Sequence, residues 1–179
     1  MKSSEYQICN RCIMDTSDPD IVFDDDGVCN HCKNYTKKIE NELLPLDIRD
    51  QKLESLVAEI KSKGKNRKYD CVIGISGGVD SSYVALLAKD LGLKTLLVHL
   101  DNGWNSEIAV KNIKNIAQNT GFDLYTYVID WNEFRDVQLS LFKASVVDIE
   151  LATDHAIKAV LFKLAAKVGV KYMLNGGNV

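Results

Sequence analysis

Proline is nearly absent from this chain, at 2 residues, and glycine stands at 11, so long disordered tracts of the Pro/Gly-rich kind are not expected. No apolar run approaches the roughly 18 residues that a membrane span needs, and no membrane association is expected. The opening residues, Met1 to Gln7, are polar and lack the apolar core of a secretory leader, which makes the cytoplasm the expected location. Excess positive charge is missing too. The 22 Lys and Arg are outnumbered by 25 Asp and Glu, for a net charge of -3, so the chain as a whole is not built as a nucleic-acid binder. The 5 cysteines are an odd number, and four of them fall in two tight pairs, which argues against a disulfide framework.

What is present suits one soluble domain and an appendage: 179 residues, 46% hydrophobic and 26% charged. The appendage is expected at residues 1–35. Cys9-x-x-Cys12 and Cys29-x-x-Cys32 are separated by sixteen residues, a spacing that suits four thiolates around one tetrahedral zinc. Such an ion would order a segment too poor in apolar residues to fold alone. An iron–sulfur cluster is the alternative occupant. His31, inside the second pair, reads as a bystander, with replacement of a cysteine ligand as the other reading. A closed four-thiolate site leaves no position for catalysis. The loop between the pairs holds Asp15, Asp18, Asp20, Asp24, Asp25 and Asp26, which would repel a phosphate backbone and points to a docking or scaffold role.

Residues 36–68 read as a helical linker. Leu53, Leu56, Val57 and Ile60 follow helical spacing, Pro45 divides two helical pieces, and the basic stretch from Lys61 to Lys68 reads as a solvated link. Residues 69–179 then alternate strands and helices. Strands are expected at Asp70 to Ile75, Lys94 to Leu100, Leu124 to Ile129 and Lys171 to Leu174. Helices are expected at Ser81 to Leu91, Asn105 to Thr120, Asn132 to Val146 and Asp154 to Val168, with stops at Gly92, Gly121 and Gly169. This alternation predicts an α/β fold, a parallel twisted sheet with helices on both faces. Ligands bind such sheets beyond the C-terminal ends of the strands. That edge collects Ser76 to Asp80, Asp101-Asn102-Gly103 and Gly176-Gly177-Asn178. Cys71 and His99, both inside apolar strands, read as core residues.

The segment Ser76-Gly77-Gly78-Val79-Asp80-Ser81-Ser82 leaves a buried strand and enters a helix. Free N–H groups at a helix start, glycines that allow close approach and three hydroxyls together make an anion cradle. A Walker loop needs a lysine that is absent here, and GxGxxG is absent as well. Asp80 is a negative group in a phosphate site. A divalent cation such as magnesium shared with the phosphates resolves this, and the alternative is that Asp80 caps the helix.

The Ser-Gly-Gly-x-Asp-Ser string resembles the pyrophosphate (PP) loop of N-type ATP pyrophosphatases, whose fold is of the adenine nucleotide alpha hydrolase-like kind. The resemblance implies that ATP is split into AMP and pyrophosphate. It implies nucleotide contacts at Ser76, Gly77, Gly78, Asp80, Ser81 and Ser82, at Leu100, Asp101 and Asn102, and at Gly176, with Asp80 also catalytic through magnesium. The cysteine pairs, SGGVDSS at 76–82, HLDNGWNSE at 99–107 and TDHAIKA at 153–159 together resemble the N-acetyl sugar amidotransferases of bacterial surface-polysaccharide (lipopolysaccharide) synthesis. That resemblance implies adenylation of the acetamido oxygen of a nucleotide-linked N-acetyl sugar. Ammonia, supplied by a separate glutaminase partner, would then displace AMP to leave an acetamidino group. Members of that family continue beyond the position of Val179, so the resemblance implies a truncated chain that lacks a fifth strand, an acidic magnesium ligand and part of the sugar site. The sheet edge left open would favour a homo-oligomer.

Trp104 stacks on a ligand ring or packs on its own domain. Thr153 or Asp154 is expected to cap a helix, and His155 is a candidate substrate contact. Two rival functions stay open: a tRNA thiolation enzyme sharing the loop, and a non-catalytic ATP-binding module.

Overall fold

The computed structural model describes residues 6–177. Met1 to Glu5, Asn178 of the last glycine turn and Val179 lie outside the described residues. The chain divides into two compact units, one up to Lys52 and one from Leu53 onward.

In the first unit, antiparallel bridges join Ile8 to Asp15 and Phe23 to Cys29, and each folds a short cysteine-bearing segment back on itself. Helix α1, Asn30–Glu42, follows at once, with Cys29 as its N-cap and the Cys29 Sγ accepting from the N–H of Cys32. Helix α1 therefore begins inside the 1–35 span expected for the cysteine module. The second cysteine pair is itself a helix start, and a thiolate or thiol takes the place usually held by Ser or Asp. Helix α2, Leu46–Gly64, begins directly after Pro45, as expected.

In the second unit, four parallel strands lie in the order β3-β2-β1-β4: β1 Cys71–Gly74, β2 Thr95–Asp101, β3 Asp123–Val128 and β4 Tyr172–Leu174. Residues Cys71 to Ile73 of β1 are buried, as a central parallel strand requires. On one face Ile73, Leu97 and Ile75 meet Ala85 and Ala88 of α3 (Val79–Asp90), Ile113 of α4 (Glu107–Thr120) and Ile60 of α2. On the other face Val72, Leu96 and Val98 meet Leu164 and Ala165 of α6, Leu151–Val168. The residue-by-residue alternation of β1 thus feeds both cores, and helices cover both faces as predicted. Helix α5, Trp131–Lys143, follows β3, an edge strand whose six residues are all exposed.

Cys71 is fully buried, with its Sγ 3.3 Å from Thr95 Oγ1, and burial pushes its thiol up. His99 is buried too and donates through Nδ1 to the Ile75 carbonyl at 3.1 Å. Both are core residues, as expected. Gly121 and Gly169 close α4 and α6 in the left-handed conformation.

Several expectations are corrected. Helix α6 starts at Leu151 after Glu150, which makes no side-chain cap bond, and Thr153 is a buried helical residue. Neither Thr153 nor Asp154 is the cap. Helix α5 ends at Lys143 and not at Val146. The basic link is not simply solvated: Lys61 and Lys63 belong to α2, and Lys68 pairs with Asp123 at 2.8 Å. Among the described residues, no helix is long and apolar enough to cross a membrane.

Candidate functional site

Strands β2 and β3 lie on one side of β1 and β4 on the other. The strand order therefore reverses between β1 and β4, the place where sheets of this kind bind ligands beyond the strand ends. The loop after β1 and the loop after β4 meet there. Gly77 is buried with φ 79° and rests on the backbone of Ala109, so close that a Cβ would lie 2.8 Å from the Ala109 Cα. Gly78 is the N-cap of α3 and supplies no side-chain cap bond. The first N–H groups of α3 are thus left without intrahelical acceptors.

Three serines ring this start. Ser76 Oγ lies 3.2 Å from Ser81 Oγ, and Ser82 Oγ donates to the Gly78 carbonyl at 2.7 Å. The Gly78 N–H reaches Ser76 Oγ at 3.4 Å, a long bond that an anion could displace. Behind the loop, Asn112 Nδ2 of α4 donates to the Gly77 carbonyl at 3.0 Å.

Asp80 sits in the first turn of α3 and is exposed. It is not the cap, since Gly78 holds that position, so the capping alternative fails. Gly176 lies directly against it: a Cβ there would come within 2.7 Å of the Asp80 carbonyl carbon. The fold therefore brings Ser76 to Ser82 and Gly176 together from opposite ends of the second unit. Leu100 and Asp101 end the adjacent strand β2, and Asn102 follows it. Asp101 Oδ1 accepts from the Gly103 N–H at 2.9 Å and Asn105 Nδ2 at 2.8 Å, and Asn102 Oδ1 accepts from the Trp104 N–H at 3.1 Å. These side chains shape their own turn.

Trp104 packs edge-on against Trp131 and Phe134, with centroids 5.8 and 5.4 Å away, yet stays 50% exposed. Beside it lies a cavity of about 410 Å³ walled by Ile129, Glu133, Phe134, Leu141, Leu151 and His155. His155 Nδ1 lies 2.8 Å from the Leu151 carbonyl, which can only accept, so Nδ1 is the donor there.

The four other cysteines form a second candidate site, in the first unit. The sulfurs of Cys9, Cys12, Cys29 and Cys32 all lie within 4.8 Å of one another, with Cys9 to Cys32 at 4.0 Å and Cys12 to Cys29 at 3.7 Å. Four thiolates bonded to one zinc at about 2.3 Å would stand about 3.8 Å apart, so the donor set fits a single ion. Backbone N–H groups of Cys29 and Arg11 point at Cys9 Sγ, at 3.2 and 3.4 Å. Burial pushes the Cys9 thiol up, but these N–H groups outweigh it and bring the thiol down to about 6. Without an ion, the hydrogen bond to Cys12 pushes the Cys32 thiol up to about 12. His31 turns to Asp18 instead, at 2.7 Å, and is a bystander as expected.

A parallel sheet with a glycine–serine loop at its switch point defines a PP-loop α/β fold of the NAD synthase-like type. The family model described as NAD synthase matches residues 50–162, more than half of the chain. The chain belongs to the NAD synthase family. It is 27% identical over 105 residues to the tRNA(Ile)-lysidine synthase of Thermus thermophilus, which covers 58% of this chain and 19% of that protein. It is 33% identical over 87 residues to the glutamine-dependent NAD(+) synthetase of Aquifex aeolicus, covering 48% of this chain and 15% of that protein. Among solved structures, the NH3-dependent NAD synthetase of Campylobacter jejuni aligns with a TM-score of 0.51 at 19% identity, over 70% of this chain and 55% of that one. The glutamine-dependent NAD+ synthetase of Acinetobacter baumannii, in complex with ADP, aligns with a TM-score of 0.55 at 23% identity, over 69% of this chain and 24% of that one. The two structures share the fold, and the chain spans about half or less of the length of each of these relatives.

Proposed function

We propose that this chain carries the ATP-binding part of an AMP-forming enzyme that activates a carbonyl oxygen and replaces it with ammonia. The observation that carries this is the meeting of the Ser76 to Ser82 loop with Gly176 around Asp80 at the switch point. Three of these relatives are named as NAD synthetases that depend on ammonia or glutamine, and one of the three was solved with ADP, which supports both halves of the reading.

In this reading the N–H groups opening α3 and the hydroxyls of Ser76, Ser81 and Ser82 hold the β- and γ-phosphates of ATP. Magnesium, when bound, neutralises phosphate charge, and Asp80 is the residue here that would hold it. Leu100, Asp101 and Asn102 border the nucleoside. The substrate's carbonyl oxygen attacks the α-phosphorus and pyrophosphate leaves. Ammonia then adds to the activated carbon, AMP departs with the oxygen, and a proton is lost. An oxygen bonded only to carbon is a poor leaving group, and an AMP ester is a good one.

The finer reading makes the substrate a nucleotide-linked N-acetyl sugar, as in lipopolysaccharide synthesis, with the acetamido group becoming acetamidino. It rests on the sequence resemblance of the cysteine pairs and of residues 99–107 and 153–159. The apolar cavity near Trp104, with Glu133 and His155 in its wall, is of a size and polarity to take an acetamido sugar. Ammonia would come from a glutaminase partner. Zinc on the four cysteines would be structural. The division into a zinc module, a helical linker and a PP-loop domain at residues 1–35, 36–68 and 69–179 is retained as a functional one, although α1 begins inside the first of these. A role in tRNA modification draws on the lysidine synthase likeness. The aspartates between the cysteine pairs weigh against it.

The test is calorimetric titration of magnesium–ATP into zinc-loaded protein and its Asp80→Ala variant, then a pyrophosphate-release screen with UDP-N-acetyl sugars and ammonia. Saturable binding, weakened about ten-fold or more in the variant, is expected from losing a charge-assisted contact. Failure of the folded protein to bind ATP rejects the nucleotide site. ATP binding without sugar-dependent release rejects the sugar reading and leaves a non-catalytic binding module.

A further inference from the structure

We infer that Asn112, on α4, is a positioning residue that fixes the orientation of the Gly77–Gly78 peptide and so aims the Gly78 N–H into the anion cradle. The inference rests on the ATP reading above.

The peptide between two glycines has no Cβ on either side to bias its orientation. Gly77 already holds a positive φ of 79°, and a turn of this one peptide plane would exchange the direction of its carbonyl for that of its N–H. The consequences for an anion are opposite. In one orientation the cradle presents a donor, and in the other it presents a carbonyl lone pair that repels phosphate. The loop's own side chains do not decide between them, because the serine hydroxyls both donate and accept.

Helix α4 decides. Its Asn112 Nδ2 donates to the Gly77 carbonyl at 3.0 Å, from a half-buried position. All described peptides are trans, so the C=O and N–H of one unit point in opposite directions. Holding the Gly77 carbonyl toward α4 therefore turns the Gly78 N–H away from α4. It meets Ser76 Oγ at 3.4 Å, the hydroxyl that faces Ser81. The distance is fixed separately: the backbone of Ala109, one turn earlier on α4, backs Gly77 with no room for a Cβ. Ala109 sets how close the loop lies, and Asn112 sets which way the peptide faces. The helix carrying both is itself anchored at Ser106, whose Oγ accepts from the Ala109 N–H at 3.2 Å.

The donor identity matters more than the shape. Aspartate at this position keeps the shape and places a carboxylate against the Gly77 carbonyl, which favours the turned peptide. Alanine merely releases it. The order of effect is thus Asp worse than Ala, the reverse of what a packing role gives.

The experiment titrates magnesium–ATP and inorganic pyrophosphate into the full chain and its Asn112→Ala and Asn112→Asp variants. The Gly78 amide resonance is followed in the same proteins before ligand is added. Expected are a displaced Gly78 amide in both variants and weaker binding of both probes, about ten-fold for Ala and more for Asp, as for an oriented donor to a charged group. If Asn112→Ala fails to fold, the near-isosteric Asn112→Asp carries the test. A wild-type-like Gly78 amide with affinities within about two-fold of wild type overturns the inference, since a hydrogen bond to a charged group is worth more than that. Absence of binding by the folded wild type, in contrast, overturns the ATP reading itself.

Discussion

Gly176 has no side chain to contribute, and its value lies in the space it leaves. It lies against the carbonyl carbon of Asp80, close enough that a methyl group would push the first turn of α3 out of place. Overpacking of this kind costs about 1–3 kcal/mol, and here the strain falls on the phosphate loop. Gly176→Ala is therefore expected to weaken ATP binding about ten-fold, with a smaller loss of melting temperature. Calorimetry and thermal unfolding on one preparation check this, and an unchanged ATP affinity would sink it. The sequence placed Gly176 at the correct sheet edge, because a glycine turn after a short strand is a local signal. That its neighbour is Asp80 was not legible, since no local rule joins residues so far apart. Asn112 was invisible for the same reason. It is an unremarked polar residue on a helix until the fold sets it behind Gly77.

At the level of elements, the strands were legible because each is a short apolar run between turn residues. Helix stops were legible through glycine. Helix starts were read less well. The onset of α6 at Leu151 has no side-chain cap to announce it, and the onset of α1 is announced by Cys29, a residue read for its thiol chemistry. The edge strand β3 is tied at its start by contacts that periodicity does not show. Asp123 Oδ2 accepts from Lys68 Nζ at 2.8 Å and from the Tyr69 hydroxyl at 2.6 Å. The hydrogen bond from Lys68, then that from Tyr69, holds the Asp123 carboxyl below its ordinary range. A depressed carboxylate contributes to stability above its unfolded pKa, and the contribution fades as pH falls through the lower folded value. Lys68→Met is expected to raise the Asp123 pKa toward the usual carboxylate value. A carbon-detected NMR titration reads this directly, and an unmoved midpoint would show that Lys68 is not the main cause.

At the scale of the whole molecule, the two units depend on different forces. The second is held by apolar cores on both faces of its sheet, built around Ile73, Leu97 and Val72. Among its described residues, the first has Cys9 and Cys29 as its buried hydrophobic ones. If an ion holds those thiolates, a strong zinc chelator is expected to make residues 6–52 sensitive to protease while 53–177 stays resistant. Mapping the cleavage sites by mass spectrometry tests this, and equal resistance of both parts would argue against a structural ion. The strand order also sets a timetable. Strand β4 pairs with β1, and Tyr172 bonds to Glu59 across 113 residues of chain. Contacts that span so much sequence close late, because the entropy of the intervening loop must be overcome first. On a ribosome, the strand pairs β1–β2 and β2–β3 can form while α6 is still being made, but the phosphate loop stays without its Gly176 wall until β4 emerges. A nascent chain would thus hold a largely folded sheet well before it could grip a nucleotide.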